Sequence, residues 1–362
     1  MLAACCLLLV AFCFPPSAVE AAGVWTRQPT GTFAWLHAVY FVDERRGWAV
    51  GGKGALLATD DGGRNWRARK SPTEDALRDV YFSDEKTGWL VCERSIYLLR
   101  EVDEPRAYLL RTADGGQTWE RVEPAGQDVD ARLTGMVFAD AAHGFVFGEL
   151  GALYATTDGG RTWARRRLPT KRLLLDAAFV DSRHGWLVGA GASLLYTTDG
   201  GETWREGRIE GFEAAPTERA REAQAEPVRL NAVSFVDERH GWAVAASGSV
   251  LTSVDGGRNW RVLARPTDAD LLDVKFFDRA EGWIAGAGGL LMHTTDGGRT
   301  WGSVRTGTTH PLERLSFAGR ARGWAVGFGG TVMAYAPQTP THQPPQLQRG
   351  AAASTAESRP LR

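Results

Sequence analysis

The sequence predicts an all-β protein, a seven-bladed β-propeller of four-stranded antiparallel blades. Three observations lead there: an eight-residue box that recurs six times, an aromatic pair set at a near-constant interval before each box, and four short strand-like runs in every repeat. The box at 294–301 reads Thr-Thr-Asp-Gly-Gly-Arg-Thr-Trp, and near copies stand at 59–66, 112–119, 156–163, 197–204 and 253–260. It is a hairpin turn written in residues. Two glycines supply positive φ, while the Asp and the hydroxyls bond to the turn's own amides. Its carboxylates are Asp61, Asp114, Asp158, Asp199, Asp255 and Asp296; its tryptophans are Trp66, Trp119, Trp163, Trp204, Trp260 and Trp301. Each Trp carries roughly 150–250 Å² of surface to bury, so turn and anchor together form a structural device.

The aromatic pair is Gly-Trp, at Trp48, Trp89, Trp186, Trp242, Trp283 and Trp324, with Phe145 in the same place, which makes seven units. From this aromatic to the box Asp is 13 residues in five of the six complete units, and from a box Trp to the next Gly-Trp is most often 23. Within the sixth unit the strand-like runs fall at 272–277 (A), 282–286 (B), 290–294 (C) and 300–305 (D), separated by Gly and Asp turns. A four-stranded repeat of about 41 residues is a propeller blade. The last unit, 315–335, has no box and no D run. Val24, Trp25, Thr26 and Arg27 stand 23 residues before Trp48, the interval that otherwise follows a box Trp. The N-terminal strand therefore closes the ring, which removes the exposed edges of an open array.

Three segments follow from composition. Residues 1–22 join an apolar run to Pro15, Pro16 and small residues, the pattern of a secretory signal peptide, although no Lys or Arg precedes the run. Residues 23–336 are the propeller. Residues 337–362, rich in Gln, Pro, Ala and Ser, read as a disordered tail. Loss of 1–22 removes Cys5, Cys6 and Cys13 and leaves Cys92 alone, so no internal disulfide is expected. The 43 acidic residues less Glu20 balance 42 basic ones, which argues against bulk electrostatic binding of nucleic acid or anionic membrane.

Two insertions break the period: 93–107 lengthens a B to C connection, and 206–227 lengthens a D to A connection. In an antiparallel blade both kinds of connection emerge on one face of the ring. Surface loops on a rigid scaffold carry binding, so Glu93, Arg106, Arg219 and Arg221 are candidates to meet a protein partner. The opposite face offers Arg183, His184, Arg239 and His240, which recur in the A to B turns as a basic collar; turn polarity is the plainer reading of that collar. The box aspartates lack the further oxygens of an EF-hand loop, and histidines on successive blades do not converge as zinc requires. Neither a metal nor a cofactor is expected. Glu93 and Glu149 are acids on the insertion face, but the spacing gives neither the second carboxyl that glycoside hydrolysis needs.

The box is the Asp box, or BNR repeat, found also in sialidases, xyloglucan hydrolases and sortilin-like receptors. The whole unit, Leu-x-x-Val-x-Phe-x-Asp, then Gly-Trp-x-Val-Gly, then Thr-x-Asp-Gly-Gly-x-Thr-Trp, resembles the photosystem II stability/assembly factor family over about residues 23–336. The Arg- and Ala-rich composition and the tail look like those of a bacterial relative. This resemblance implies a non-catalytic exported scaffold or chaperone, periplasmic or in the thylakoid lumen, that acts as a monomer and binds a membrane-associated protein through an Arg-rich patch. The alternative is an Asp-box glycoside hydrolase or a carbohydrate-binding propeller.

Overall fold

Leu271–Phe276, Gly282–Gly286, Leu291–Thr294 and Gly302–Ser303 form one antiparallel meander, strand A innermost and strand D outermost. The computed structural model describes residues 23–95, 104–128, 130–210 and 228–337, and this meander recurs in it as seven sheets around an axis. Strand B is buried along its whole length in six blades and from Gly323 onward in the seventh, because both of its faces lie against neighbouring blades. Four of the D strands have two residues, shorter than the 300–305 pattern suggests. The box turn and its Trp occupy the chain up to 301, and pairing begins after them.

Closure runs as the interval predicts. Gly23–Gln28 pairs antiparallel with Thr331–Pro337, from Gly23 opposite Pro337 to Gln28 opposite Val332. The seams between blades are aromatic. A Gly-Trp indole stacks on the strand A Phe of the next blade, as in Phe41 on Trp324 at 3.3 Å, Trp186 on Phe235 at 3.4 Å and Trp242 on Phe276 at 3.8 Å. The box Trp of that next blade meets the same Phe edge-on, Trp260 against Phe235 at 5.6 Å and Trp301 against Phe276 at 5.8 Å. In the last blade Trp25 takes this edge-on place against Phe317 at 6.1 Å. Such pairs add about 0.5–1.5 kcal/mol each beyond area burial. The box glycine is required where it sits: Gly257 has φ +80, and a Cβ there would lie 2.6 Å from the Trp186 indole.

The two insertions behave differently. The first extends strands B and C of the second blade, Gly88–Glu93 against Ala107–Thr112, with Glu93 opposite Ala107. The second begins by laying Arg208–Ile209 parallel to Asn259–Ala264 as a fifth strand of the fifth blade, so its first residues cover a sheet edge. The signal-peptide assignment, 1–22, lies outside the described residues, as do Arg219, Arg221 and the tail assignment of 337–362 except for Pro337, which belongs to the closing strand opposite Gly23. Cys92 is buried and unpaired. No helix among the described residues is long and apolar enough to cross a membrane.

Candidate functional site

The seven A strands face the axis, and each slips register with strand B at the same place. The shift falls between Leu36 and Ala38, and likewise at Leu77 and Asp79, Leu133 and Gly135, Leu174 and Asp176, Leu230 and Ala232, Leu271 and Asp273, and Leu312 and Arg314. A bulge turns the extra side chain out of the ladder. Those seven side chains, His37, Arg78, Thr134, Leu175, Asn231, Leu272 and Glu313, all line one cavity of about 320 Å³ at the axis, with Arg132, Arg229 and Glu93 beside them. This mouth lies at the end of the ring that carries the B to C and D to A connections.

Ion pairs across two blades build one wall of the mouth. Arg78 Nε donates to Glu93 at 2.6 Å and Arg106 Nη2 donates to the other Glu93 oxygen at 3.0 Å. Arg132 donates to Glu149 through Nε at 2.8 Å and through Nη2, and lies 3.9 Å from Glu93; Arg106 is 3.8 Å from Glu149. Three guanidinium groups thus share two carboxylates, which leaves a net positive charge. Burial pushes the Glu149 carboxyl up, but the bonds from Arg132 outweigh it and hold Glu149 below the usual range. On the facing wall Arg229 donates to Asn231 at 2.8 Å and has its nearest carboxylate, Asp270, 4.0 Å away. Toward the closing seam, Trp35 Nε1 donates to Glu313 at 2.7 Å, His37 lies 3.7 Å from Glu313, and Arg78 is 3.4 Å from His37 Nε2.

Below the mouth the next residue of each A strand forms an inner ring: Ala38, Asp79, Gly135, Asp176, Ala232, Asp273 and Arg314. Asp79 accepts the Met136 amide at 2.8 Å, Asp176 that of Val233 at 2.9 Å, and Asp273 that of Leu315 at 2.7 Å, so each carboxylate joins its own blade to the following one. Arg314 Nη1 sits 3.1 Å from Asp176 and 3.9 Å from Asp273. Burial pushes Asp79 and Asp273 up to about 6 and also raises Asp176; burial opposes the Arg314 charge, but Asp176, Asp273 and Asp79 outweigh it and raise Arg314.

At the other end of the ring the box charges are local. In the fifth box Asp255 accepts from Ser253 Oγ at 3.0 Å, from the Arg258 and Asn259 amides at 3.1 and 3.0 Å, and from Asn259 Nδ2 at 2.7 Å. Equivalent bonds from Asn65 and Thr118 hold Asp61 and Asp114 down at about 2. These carboxylates serve their own turns. The collar is answered both within its own turns and by neighbouring blades, where Arg46 reaches Glu85 and Arg320 reaches Asp278 and Glu281. His184 is 2.9 Å from Asp181, and His240 is 2.9 Å from Asp237, which also takes Arg279 at 2.9 Å. Arg183 is exposed, and Arg239 donates to the Val254 carbonyl at 3.4 Å. Among the described residues no three His, Cys, Asp or Glu side chains gather as a metal ion would need.

Of the eight partner-binding candidates, Glu93 and Arg106 therefore meet at the mouth, four stand at the box end, and two are not described. Sequence reasoning missed Arg78, Arg132, Arg229 and the inner Asp79, Asp176, Asp273 and Arg314. The signal was the residue one or two places after the first Leu of strand A for Arg78, Asp79, Asp176, Asp273 and Arg314, and the residue just before that Leu for Arg132 and Arg229.

The family model described as photosynthesis system II assembly factor YCF48 matches at 18–124, 65–171, 161–221 and 217–316, together more than half of the chain. The photosystem II assembly lipoprotein Ycf48 of Synechococcus sp. (strain CC9902) is 29% identical over 131 residues, 34% of this chain and 34% of that protein, so the chain spans about a third of that relative's length. Among solved structures, YCF48 bound to D1 peptide has a TM-score of 0.68 at 22% identity, covering 89% of this chain and 99% of the other. YCF48 from Cyanidioschyzon merolae has a TM-score of 0.66 at 19% identity, covering 87% and 99%. A streptogramin B lyase reaches a TM-score of 0.65 at 12% identity, covering 88% and 100%, which speaks to a shared fold alone. Through the spans matched by the family model, this chain belongs to the photosynthesis system II assembly factor YCF48 family.

Proposed function

We propose that the protein is an exported, non-catalytic assembly factor that acts as a monomer and holds a segment of a membrane-associated protein at the mouth of its channel. The observation that carries this reading is the meeting of Arg78, Arg132 and Arg229 around one axial cavity, with Arg106 behind Glu93 and one more guanidinium than carboxylate on the wall of the second and third blades. A structure of a family member bound to D1 peptide and a relative named a lipoprotein support it. A glycosidase reading draws little support: Glu93 and Glu149 are held by arginines, and a general acid needs its carboxyl raised rather than lowered. The inner aspartates are raised but engaged by backbone amides of the next blade.

Photo-crosslinking tests the reading. A photoreactive residue at Leu272, in the mouth, should capture a membrane protein in membranes of the source organism, and the same residue at Arg183, in the collar, should not. Capture from position 183 with none from 272 reverses the faces. No membrane protein captured from either position overturns the proposal.

A further inference from the structure

The seven repeats act as controls for one another, and one seam departs from the rest. Three residues before the first Leu of strand A, the chain carries Glu74, Asp130, Lys171, Pro227, Asp268 and Thr309 in six units, and Phe33 in the seventh. The short turn after strand B begins with Gly52, Glu149, Ala190, Ala246, Ala287 or Phe328. Both aromatic exceptions fall at the closing seam, beside Trp35. Phe33 is 93% exposed, Phe328 45% and Trp35 44%. Trp35 and Phe328 meet edge to face at 5.4 Å, and His310 stands 5.3 Å behind Phe328. Phe33 also lines an adjoining cavity of about 490 Å³ with Pro29, Thr30 and Gly330. Solvent-facing aromatics gathered this way mark interaction sites.

This aromatic shelf is continuous with the mouth. Trp35 is 5.5 Å from His37, whose ring lies 3.4 Å from Arg78, and Trp35 Nε1 holds Glu313 at the cavity wall. The step from shelf to guanidinium is therefore about two to four residues of extended chain at about 3.3 Å each. We infer that Phe33, Trp35 and Phe328 form an apolar anchor site for the same partner segment, taking an aromatic or branched aliphatic side chain that lies two to four residues from a carboxylate held by the arginines of the mouth. This rests on the mouth being the partner site. An amphipathic peptide fits both halves: the exposed side chains of the shelf are aromatic, with Arg27 lining the adjoining cavity, and on the facing wall Arg229 has its nearest carboxylate 4.0 Å away. Aromatic anchors in partly desolvated sites dominate peptide affinity.

A positional-scanning library of fluorescein-labelled decapeptides, read by fluorescence polarisation against the 23–362 protein, tests this. One set ends in a free carboxylate and the other in an amide, which separates a terminal from a side-chain carboxylate. The wild type should bind pools with Phe, Trp or Leu two to four positions from a carboxylate at least tenfold tighter than pools with Ser there. The surface variant Phe33→Ser/Phe328→Ser should lose that preference to within twofold while keeping the carboxylate preference; Arg229→Ala should do the reverse. A wild type that selects carboxylate but ignores the apolar position overturns the anchor site and leaves the mouth standing. Binding of no pool overturns both.

Discussion

At the box end of the ring, Asp181 answers His184 within three residues of sequence and Asp237 answers His240 in the same way. At the mouth, Glu93 gathers guanidinium groups from residues 78, 106 and 132, which lie on two blades. The difference is one of degree: the turn histidines are answered first inside their own turns, although Arg279, Arg320 and Arg46 also reach carboxylates of a neighbouring blade. Charges satisfied inside one turn are repeated wherever the turn is repeated and leave little to offer a partner. Charges shared between blades exist because the ring has formed, and at the mouth they leave more guanidinium than carboxylate. The repeat thus makes the box end periodic and the mouth particular.

The sharpest way to break this comparison is to remove a shared charge and a local one in parallel. Glu93→Ala leaves Arg78 without its carboxylate and Arg106 and Arg132 with Glu149 alone, and should cost about 3–5 kcal/mol in urea unfolding. Asp255→Ala frees donors of a single turn and should cost about 1–3 kcal/mol. A larger loss from Asp255→Ala would mean that the boxes, rather than the blade-bridging pairs, hold the ring.

Acid sharpens the contrast because the two ends titrate in different ranges. Asp79 and Asp273 stand at about 6 in the folded protein against an ordinary 3.8, so the folded state binds more protons and stability should rise as pH falls from 7.5 to 5, by about 1.4 kcal/mol per carboxyl. Box carboxylates such as Asp61, at about 2, act in the opposite sense, and their contribution is lost only as pH falls below about 4. Melting temperatures of the wild type and of Asp79→Asn/Asp273→Asn across pH 5–7.5 check this, with a shallower slope expected for the second, which keeps only Asp176 of the three raised carboxyls. Equal slopes would place the titrating groups elsewhere. The smallest effect belongs to the collar, where Arg183→Ala and Arg239→Ala should each change stability by less than about 0.5 kcal/mol.

The blades, their count and the closing strand were legible because each rests on local chemistry: Asp-Gly-Gly turns, the Trp that follows them, and a constant interval that Val24 to Arg27 also keeps. The mouth was half legible. Glu93 and Arg106 stood out as parts of an insertion, and the topology put them on the correct end. Arg132 and Arg229 did not stand out, because they sit just before the first Leu of their strands, at the end of connections that differ from blade to blade. Arg78 did not stand out, because a bulge one residue into strand A decides which side chain leaves the ladder, and no turn residue announces it. The inner ring was hidden for the same reason. Asp79, Asp176 and Asp273 sit in apolar strands 97 residues apart in sequence, and only closure of the ring sets Arg314 among them.

Closure by the N-terminal strand also sets the attitude of the molecule. Gly23 lies opposite Pro337, and both stand at the box end, since the chain runs from Gly23 up to the mouth and from the mouth at Thr331 back down. Whatever precedes residue 23 and whatever follows residue 337 leave the ring from neighbouring points on the side away from the mouth. A tether at either terminus would hang the ring by its box end, with the arginines and the aromatic shelf turned outward to meet an incoming chain.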